Sequence, residues 1–116
     1  MIRRMRVSQP HRPDDGEPLV AQAGERFHFE HRQTEWPGWI WCTNDAGAAG
    51  WAPESWIAPE DVDAGSCIFR RDYDATELSV DVGETLMVEI EESGWAHVTD
   101  SRARRGWVPL RNLERF

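Results

Sequence analysis

The residues of this chain best suited to binding another molecule are tryptophans, and they recur in a repeated pattern. Gly38-Trp39 is followed by Gly50-Trp51-Ala52-Pro53, and Gly94-Trp95 is followed at the same spacing by Gly106-Trp107-Val108-Pro109. A buried tryptophan ring hides about 150–250 Å², so apolar recognition is the chemistry that these residues favour. The shared spacing indicates a duplicated unit. Each copy predicts a β-hairpin that ends at a proline, which cannot donate to a strand ladder.

Strand alternation predicts which side chains of the first hairpin face outward. Successive side chains of a strand point to opposite faces of the sheet. The expected inward set is Ile40, Cys42 and Ala52, and the expected outward set is Trp39, Trp41 and Trp51. Outward rings of this size either contact a ligand or are buried between two domains, and the pattern leaves both possibilities open.

Other chemistry is not favoured by the remaining residues. The four histidines are scattered, and His28 and His31 fall on opposite faces of a predicted strand, so no metal site is expected. No nucleophile motif surrounds a serine, and no phosphate-binding glycine loop occurs. Cys42 and Cys67 lack metal-site spacing, and a buried, reduced thiol is expected at Cys42. We therefore expect neither an enzyme nor a cofactor.

Composition indicates a soluble protein of the cytoplasm. The formal net charge is −8, and all the basic residues are arginines. A basic footprint for nucleic acid is absent, so no nucleic-acid partner is expected. The N-terminal stretch lacks the apolar region of a signal peptide, and no apolar run is long enough to span a membrane.

Breaker residues and alternation divide the chain into two small all-β domains. Short apolar or alternating runs, separated by glycine-rich turns, predict five strands per copy and no helix of ordinary length. The polar stretch from Ala58 to Ser66 is the predicted linker, and Cys67 to Phe69 is predicted to start the second domain. The expected architecture is two tandem five-stranded antiparallel barrels, residues 1–60 and 65–116, joined by a short linker.

The second copy resembles a Src-homology-3 (SH3) domain. Four motifs carry the resemblance: Asp72-Tyr73-Asp74-Ala75 with Glu77-Leu78-Ser79-Val80, Gly83-Glu84-Thr85-Leu86, Gly94-Trp95, and Gly106-Trp107-Val108-Pro109. They resemble the opening of the family, its first turn and strand, its ligand-facing tryptophan and its closing signature. The first copy is similar from Leu19 onward, and the whole chain is similar to small bacterial proteins with tandem variant SH3 repeats.

The resemblance implies an aromatic groove that binds an extended or proline-rich peptide, with acidic residues beside it. A polyproline helix is ordered before it docks, so it loses little entropy. The residues implied to line the groove are Trp39, Trp41, Trp51, Pro53 and Trp56 in the first copy, and Tyr73, Asp72, Asp74, Glu77, Trp95, Trp107 and Pro109 in the second. Asp14, Asp15 and Glu17 supply an acidic loop in the first copy, whereas Asn112 replaces a groove tyrosine in the second.

Two functions follow as expectations. The first is a non-enzymatic module that binds a protein or peptide through its tryptophan-lined faces. The second is a structural or accessory subunit that docks on a larger enzyme or complex, with the tryptophan faces buried between its domains.

Overall fold

The computed structural model describes residues 2–14 and 16–116, so Met1 and Asp15 lie outside the described residues. The fold is all-β, as the alternating sequence pattern predicts. The strands are β1 (Arg3–Val7), β2 (Val20–Ala21), β3 (Arg26–Glu30), β4 (Trp39–Thr43), β5 (Ala49–Pro53), β6 (Ile57–Asp61), β7 (Ser66–Phe69), β8 (Tyr73–Asp74), β9 (Thr85–Glu92), β10 (Trp95–Thr99), β11 (Arg105–Pro109) and β12 (Leu113–Arg115). The helical segments in these ranges are two single 3₁₀ turns, Glu54–Trp56 and Leu110–Asn112. No described segment forms an apolar helix that could cross a membrane.

The chain divides into two compact units, and their boundaries differ from the predicted ones. Unit 1 combines Met1–Gly16 with Thr76–Phe116, and unit 2 is the continuous stretch Glu17–Ala75. The predicted division was 1–60 and 65–116. Unit 2 is therefore inserted into unit 1 along the chain, and the chain passes from one unit to the other twice.

The first strand of each repeat lies in the sheet of the other repeat. β1 pairs with β9 and β12, which belong to the second repeat. β7, predicted to start the second repeat, pairs instead with β3 and β6 of the first. The stretch predicted as a linker, Ala58 to Ser66, consequently forms most of β6, a turn and the first residue of β7 within a single sheet. Alternation did not reveal this exchange because both first strands present two inward residues at the same spacing.

The sizes of the buried side chains explain why β7 joins the sheet of unit 2 and β1 joins the sheet of unit 1. In unit 2, Phe69 packs edge-on against Phe27, with ring centroids 5.0 Å apart. In unit 1, the same positions carry the smaller Val7 and Leu86, both fully buried. Exchanging the strands would crowd one core and leave a cavity in the other, and both changes destabilise a close-packed interior.

Each unit contains one five-stranded antiparallel sheet. The strand orders are β11-β10-β9-β1-β12 in unit 1 and β5-β4-β3-β7-β6 in unit 2, and β2 pairs with β8 in a separate short ladder. Hydrogen bonding closes none of these sheets into a barrel within the described residues, which corrects the predicted barrel. The β11 edge is covered instead by the segment after Ala75: the Trp107 N–H donates to the Thr76 carbonyl at 3.0 Å, and the Leu78 N–H to the Trp107 carbonyl at 3.0 Å.

The glycine of each Gly-Trp-x-Pro motif allows another segment to lie close to the hairpin, the segment at Leu78 in unit 1 and the segment at Leu19 in unit 2. A Cβ on Gly106 would lie 2.8 Å from the Leu78 main-chain nitrogen, and one on Gly50 would lie 2.9 Å from the Leu19 Cβ. Real Cβ atoms do not approach other atoms so closely. Packing therefore explains this part of the repeated motif in both units.

Candidate functional site

A tryptophan lies directly opposite a proline in each unit. Antiparallel pairing places Trp39 across from Pro53, and Trp95 across from Pro109. Both tryptophans are half-buried, whereas both prolines are buried, so the prolines do not line an open groove as the resemblance implied. Residues directly opposite each other in an antiparallel pair share one face of the sheet, so each unit has a half-buried indole and a buried proline as neighbours on that face.

A 3₁₀ turn after each proline holds the end of the hairpin in place. The Glu54 N–H donates to the Gly38 carbonyl at 2.8 Å, and the Leu110 N–H donates to the Gly94 carbonyl at 2.9 Å. These bonds connect the residue after the proline to the glycine before the tryptophan. The Trp–Pro geometry is thus fixed by the backbone of both partners.

A second pair of rings lies one step further along each hairpin. Trp41 contacts Trp51 with centroids 5.3 Å apart, and His97 contacts Trp107 at 5.1 Å, both edge-to-face. Trp41 and Trp51 are half-buried, whereas Trp107 is only 3% exposed. Trp107, which the resemblance implied to line an open groove, is therefore buried instead. The His97 ring packs against the Trp107 ring, and the main chain of Trp107 is bonded to the segment after Ala75.

Two further rings predicted to line the groove are also buried. Trp56 is 9% exposed and Tyr73 is 4% exposed, and their rings meet edge-to-face at 5.5 Å. Tyr73 also stacks on Phe69 at 5.8 Å, and its hydroxyl donates to the Trp51 carbonyl at 2.7 Å. Tyr73 therefore joins the core of unit 2 to its hairpin.

The exchanged strands also regroup the acidic residues. Tyr73, Asp72 and Asp74 belong to unit 2, so their predicted grouping with Trp95 is corrected, and only Glu77 of the predicted acidic edge lies in unit 1 with Trp95. The Asp72 carboxylate accepts a hydrogen bond from the Ala23 N–H at 2.8 Å. Asp74 is exposed on β8. Of the acidic loop predicted in the first copy, Asp15 lies outside the described residues.

A histidine that sequence reasoning did not place in the site lies beside Trp95. The His11 ring meets the Trp95 ring edge-to-face at 5.7 Å, and its Nε2 atom lies 2.7 Å from the Glu77 carboxylate. His11 follows Val7 by the same interval that separates Tyr73 from Phe69, and this spacing was the available signal. His11 thus takes the position in unit 1 that Tyr73 takes in unit 2.

The polar replacement at Asn112 has a structural role. Asn112 is 7% exposed, and its Nδ2 donates to the Pro10 carbonyl at 3.0 Å and to the Gln9 carbonyl at 3.4 Å. These bonds hold the loop that carries His11. Trp56 occupies the same position of the repeat in unit 2.

Two arginines lie over tryptophan rings in unit 2. The Arg32 Cζ is 4.4 Å from the Trp41 centroid, and the Arg71 Cζ is 4.0 Å from the Trp56 centroid. A guanidinium at this distance from an indole face makes a favourable cation–π contact. Arg32 also pairs with the Glu30 carboxylate.

The negative charge is concentrated in one unit. Glu17–Ala75 contains eleven acidic residues and four arginines, a formal charge of −7, and the remaining residues contain ten acids and nine arginines, a charge of −1. An acidic surface attracts basic partners and speeds their association at low ionic strength. Trp39, Trp41 and Trp51 therefore belong to the more negatively charged of the two units.

Both cysteines are buried and reduced, as predicted for Cys42. Neither thiol is exposed to solvent. Burial raises the pKa of Cys42 to about 12 and also raises the pKa of Cys67. The thiolate, which is the reactive form, is consequently scarce at neutral pH.

Among the described residues, no cluster of histidine, cysteine and carboxylate side chains has the composition of a metal site. Comparison of this chain with protein-family models, with curated proteins and with solved structures finds no match.

Proposed function

We propose that this chain is a non-enzymatic binding protein made of two SH3-like units, and that each unit binds an extended or proline-rich segment of a partner protein at its Trp–Pro pair. The sites are Trp39 with Pro53 and Trp95 with Pro109. The observation that carries the proposal is their repetition: two units with different cores and different charges keep the same half-exposed indole opposite the same buried proline.

Strand order supports the SH3-like assignment. In unit 1, β1 lies between β9 and β12, and in unit 2, β7 lies at the equivalent place between β3 and β6. A 3₁₀ turn precedes β12 in unit 1 and β6 in unit 2. The long loop after the first strand carries Tyr73 in unit 2 and His11 in unit 1. These features agree with the motifs that resemble the family.

The apolar chemistry of the Trp–Pro pairs favours a peptide in the polyproline conformation. Such a peptide presents apolar rings and unpaired carbonyls, and its order before binding limits the entropy that is lost. Beside Trp95, the Glu77–His11 pair provides polar groups for a donor of the ligand. Beside Trp39, the charge of unit 2 favours a basic flank.

The test is a titration of the full chain with a proline-rich peptide that has a basic flank, followed through the indole N–H signals of the seven tryptophans. We expect the Trp39 and Trp95 signals to shift. Trp39→Ala and Trp95→Ala should each weaken binding at its own site by about tenfold or more, as expected for a central aromatic contact.

Phe116→Ala is the matched control, because Phe116 is an exposed aromatic outside both pairs. Affinity that is the same in the two tryptophan variants and in this control would refute the peptide site. A role in docking on a larger enzyme would then be the better account of the aromatic residues.

A further inference from the structure

The Arg71 side chain lies over a buried tryptophan of unit 2. Its guanidinium covers the Trp56 ring, and the Tyr73 ring meets the same indole edge-to-face. Arg71 itself is exposed, whereas Trp56 and Tyr73 are buried. The exposed guanidinium therefore lies between the buried Trp56 ring and solvent.

An ion pair does not explain the position of Arg71. Unit 2 has eleven acidic residues, yet within residues 16–75 no carboxylate lies within 4.0 Å of the Arg71 guanidinium nitrogens. The neighbouring Asp72 accepts from the Ala23 N–H. Arg70, by contrast, donates its Nε–H to the Ile57 carbonyl. Although unit 2 is acidic, the Arg71 guanidinium thus lies over the Trp56 ring and not beside a carboxylate of residues 16–75.

The repeat provides an independent comparison. In unit 1 the position of Trp56 is taken by Asn112, and the position of Arg71 is taken by Gln9. Neither the ring nor the cation is present there, and the Asn112 amide instead holds the loop through the Gln9 and Pro10 carbonyls. The cation and the ring occur together or not at all, which is expected if the ring is there to hold a cation.

We infer that the Trp56–Tyr73 face of unit 2 is a binding site for a guanidinium or ammonium group of a basic partner segment, and that Arg71 occupies this site in the free chain. The inference rests on the proposed function, because it names the partner class of unit 2. An incoming arginine displaces Arg71 from the ring without changing the net charge at the face. Arg71 therefore competes with the ligand and lowers its affinity.

The experiment compares the full chain with its R71Q variant. Two probes are titrated: a proline-rich peptide with one arginine, and the same peptide with citrulline, a neutral analogue of arginine, at that position. The Trp56 indole N–H signal, assigned with Trp56→Phe, reports on the site. We expect R71Q to bind the arginine peptide about threefold to tenfold more tightly than the original chain. We expect no such gain with citrulline.

Arg32→Gln is the matched control. It removes the same charge from the same unit, and it also uncovers a ring, but Arg32 is paired with Glu30 and lies over Trp41. An equal gain in R32Q would show that the gain is not specific to the Trp56 ring and would overturn the inference, as would an equal gain with citrulline or no gain in R71Q. Arg71→Ser provides a second variant should R71Q fold poorly.

The two proposals fail separately. A Trp56 signal that does not respond to the arginine peptide in R71Q overturns the cation site, whatever the Trp39 signal does. A Trp56 response without any shift of Trp39 or Trp95 supports the cation site and refutes binding at the Trp–Pro pairs.

Discussion

Gly47 and Ala103 occupy the same position in the two hairpin loops, and both have a left-handed backbone, with φ of 90° and 64°. Each residue donates its N–H to the residue three positions before it, Asn44 in one loop and Asp100 in the other. The two loops therefore have the same shape, but only one has the residue type that adopts this conformation without strain.

We predict that Ala103→Gly stabilises the protein by about 0.5–1 kcal/mol, since it relieves a left-handed alanine. The reverse change, Gly47→Ala, should destabilise by about 1 kcal/mol, and its cause is the backbone alone because nothing lies within 4 Å of the added Cβ. Chemical denaturation of both variants measures these changes. Ala46→Gly is the control, and a similar gain there would refute the explanation from strain.

The environment of the Asp100 carboxylate allows a prediction of how the stability of unit 1 depends on pH. Burial alone would raise the pKa of Asp100, but hydrogen bonds from the N–H groups of Arg104 and Arg102, together with the Arg104 guanidinium, outweigh it and hold that pKa below its ordinary value. The carboxylate therefore contributes stability above the ordinary pKa of an aspartate, about 3.9. This contribution is lost as the pH falls through the lower pKa of the folded state.

Asp100→Asn should remove this pH dependence and leave the loop intact, because Asn44 makes the equivalent hydrogen bonds at 3.1 and 2.9 Å in unit 2. Asp100→Ala should lose all three hydrogen bonds to the carboxylate and destabilise by about 1–3 kcal/mol at neutral pH. Unfolding free energies measured between about pH 2 and pH 7 test both statements. An Asp100→Asn variant that is as pH-dependent as the original chain would contradict them.

The exchange of first strands predicts how fragments behave. Residues 17–75 contain every strand of their sheet and should unfold cooperatively when expressed alone. Residues 65–116 have β7 in place of β1, so Phe69 would have to fit the site of Val7, and an overpacked core costs about 1–3 kcal/mol. Thermal unfolding of the two fragments measures the difference. A fragment 65–116 that is as stable as 17–75 would contradict the size argument.

Local sequence predicted the hairpins well, but it did not predict which sheet each first strand joins. Alternation identified Ile40, Cys42 and Ala52 as buried, and the paired motifs identified both Trp–Pro positions. These features depend on residues close together in the chain. The partner of a first strand depends on residues far apart, and Met5 and Cys67 give the same local signal. Size complementarity in the cores distinguishes the two pairings only once the contacts are known.

The site was predictable where the two copies agree and not where they differ. Trp39 and Trp95 follow from the repeat. The burial of Trp107 depends on how the segment after Ala75 lies against β11, and no local pattern encodes that approach. His11 was obscured because it replaces a tyrosine with a residue that no motif includes.

Met5 pairs with Arg115, so the strands nearest the two termini lie side by side in unit 1. Unit 2 has a hairpin at the corresponding edge, where β6 turns directly into β7. A short peptide joining residue 115 to residue 3, combined with a cut between residues 61 and 66, would give a circularly permuted chain with the same pairings and its termini in the other unit.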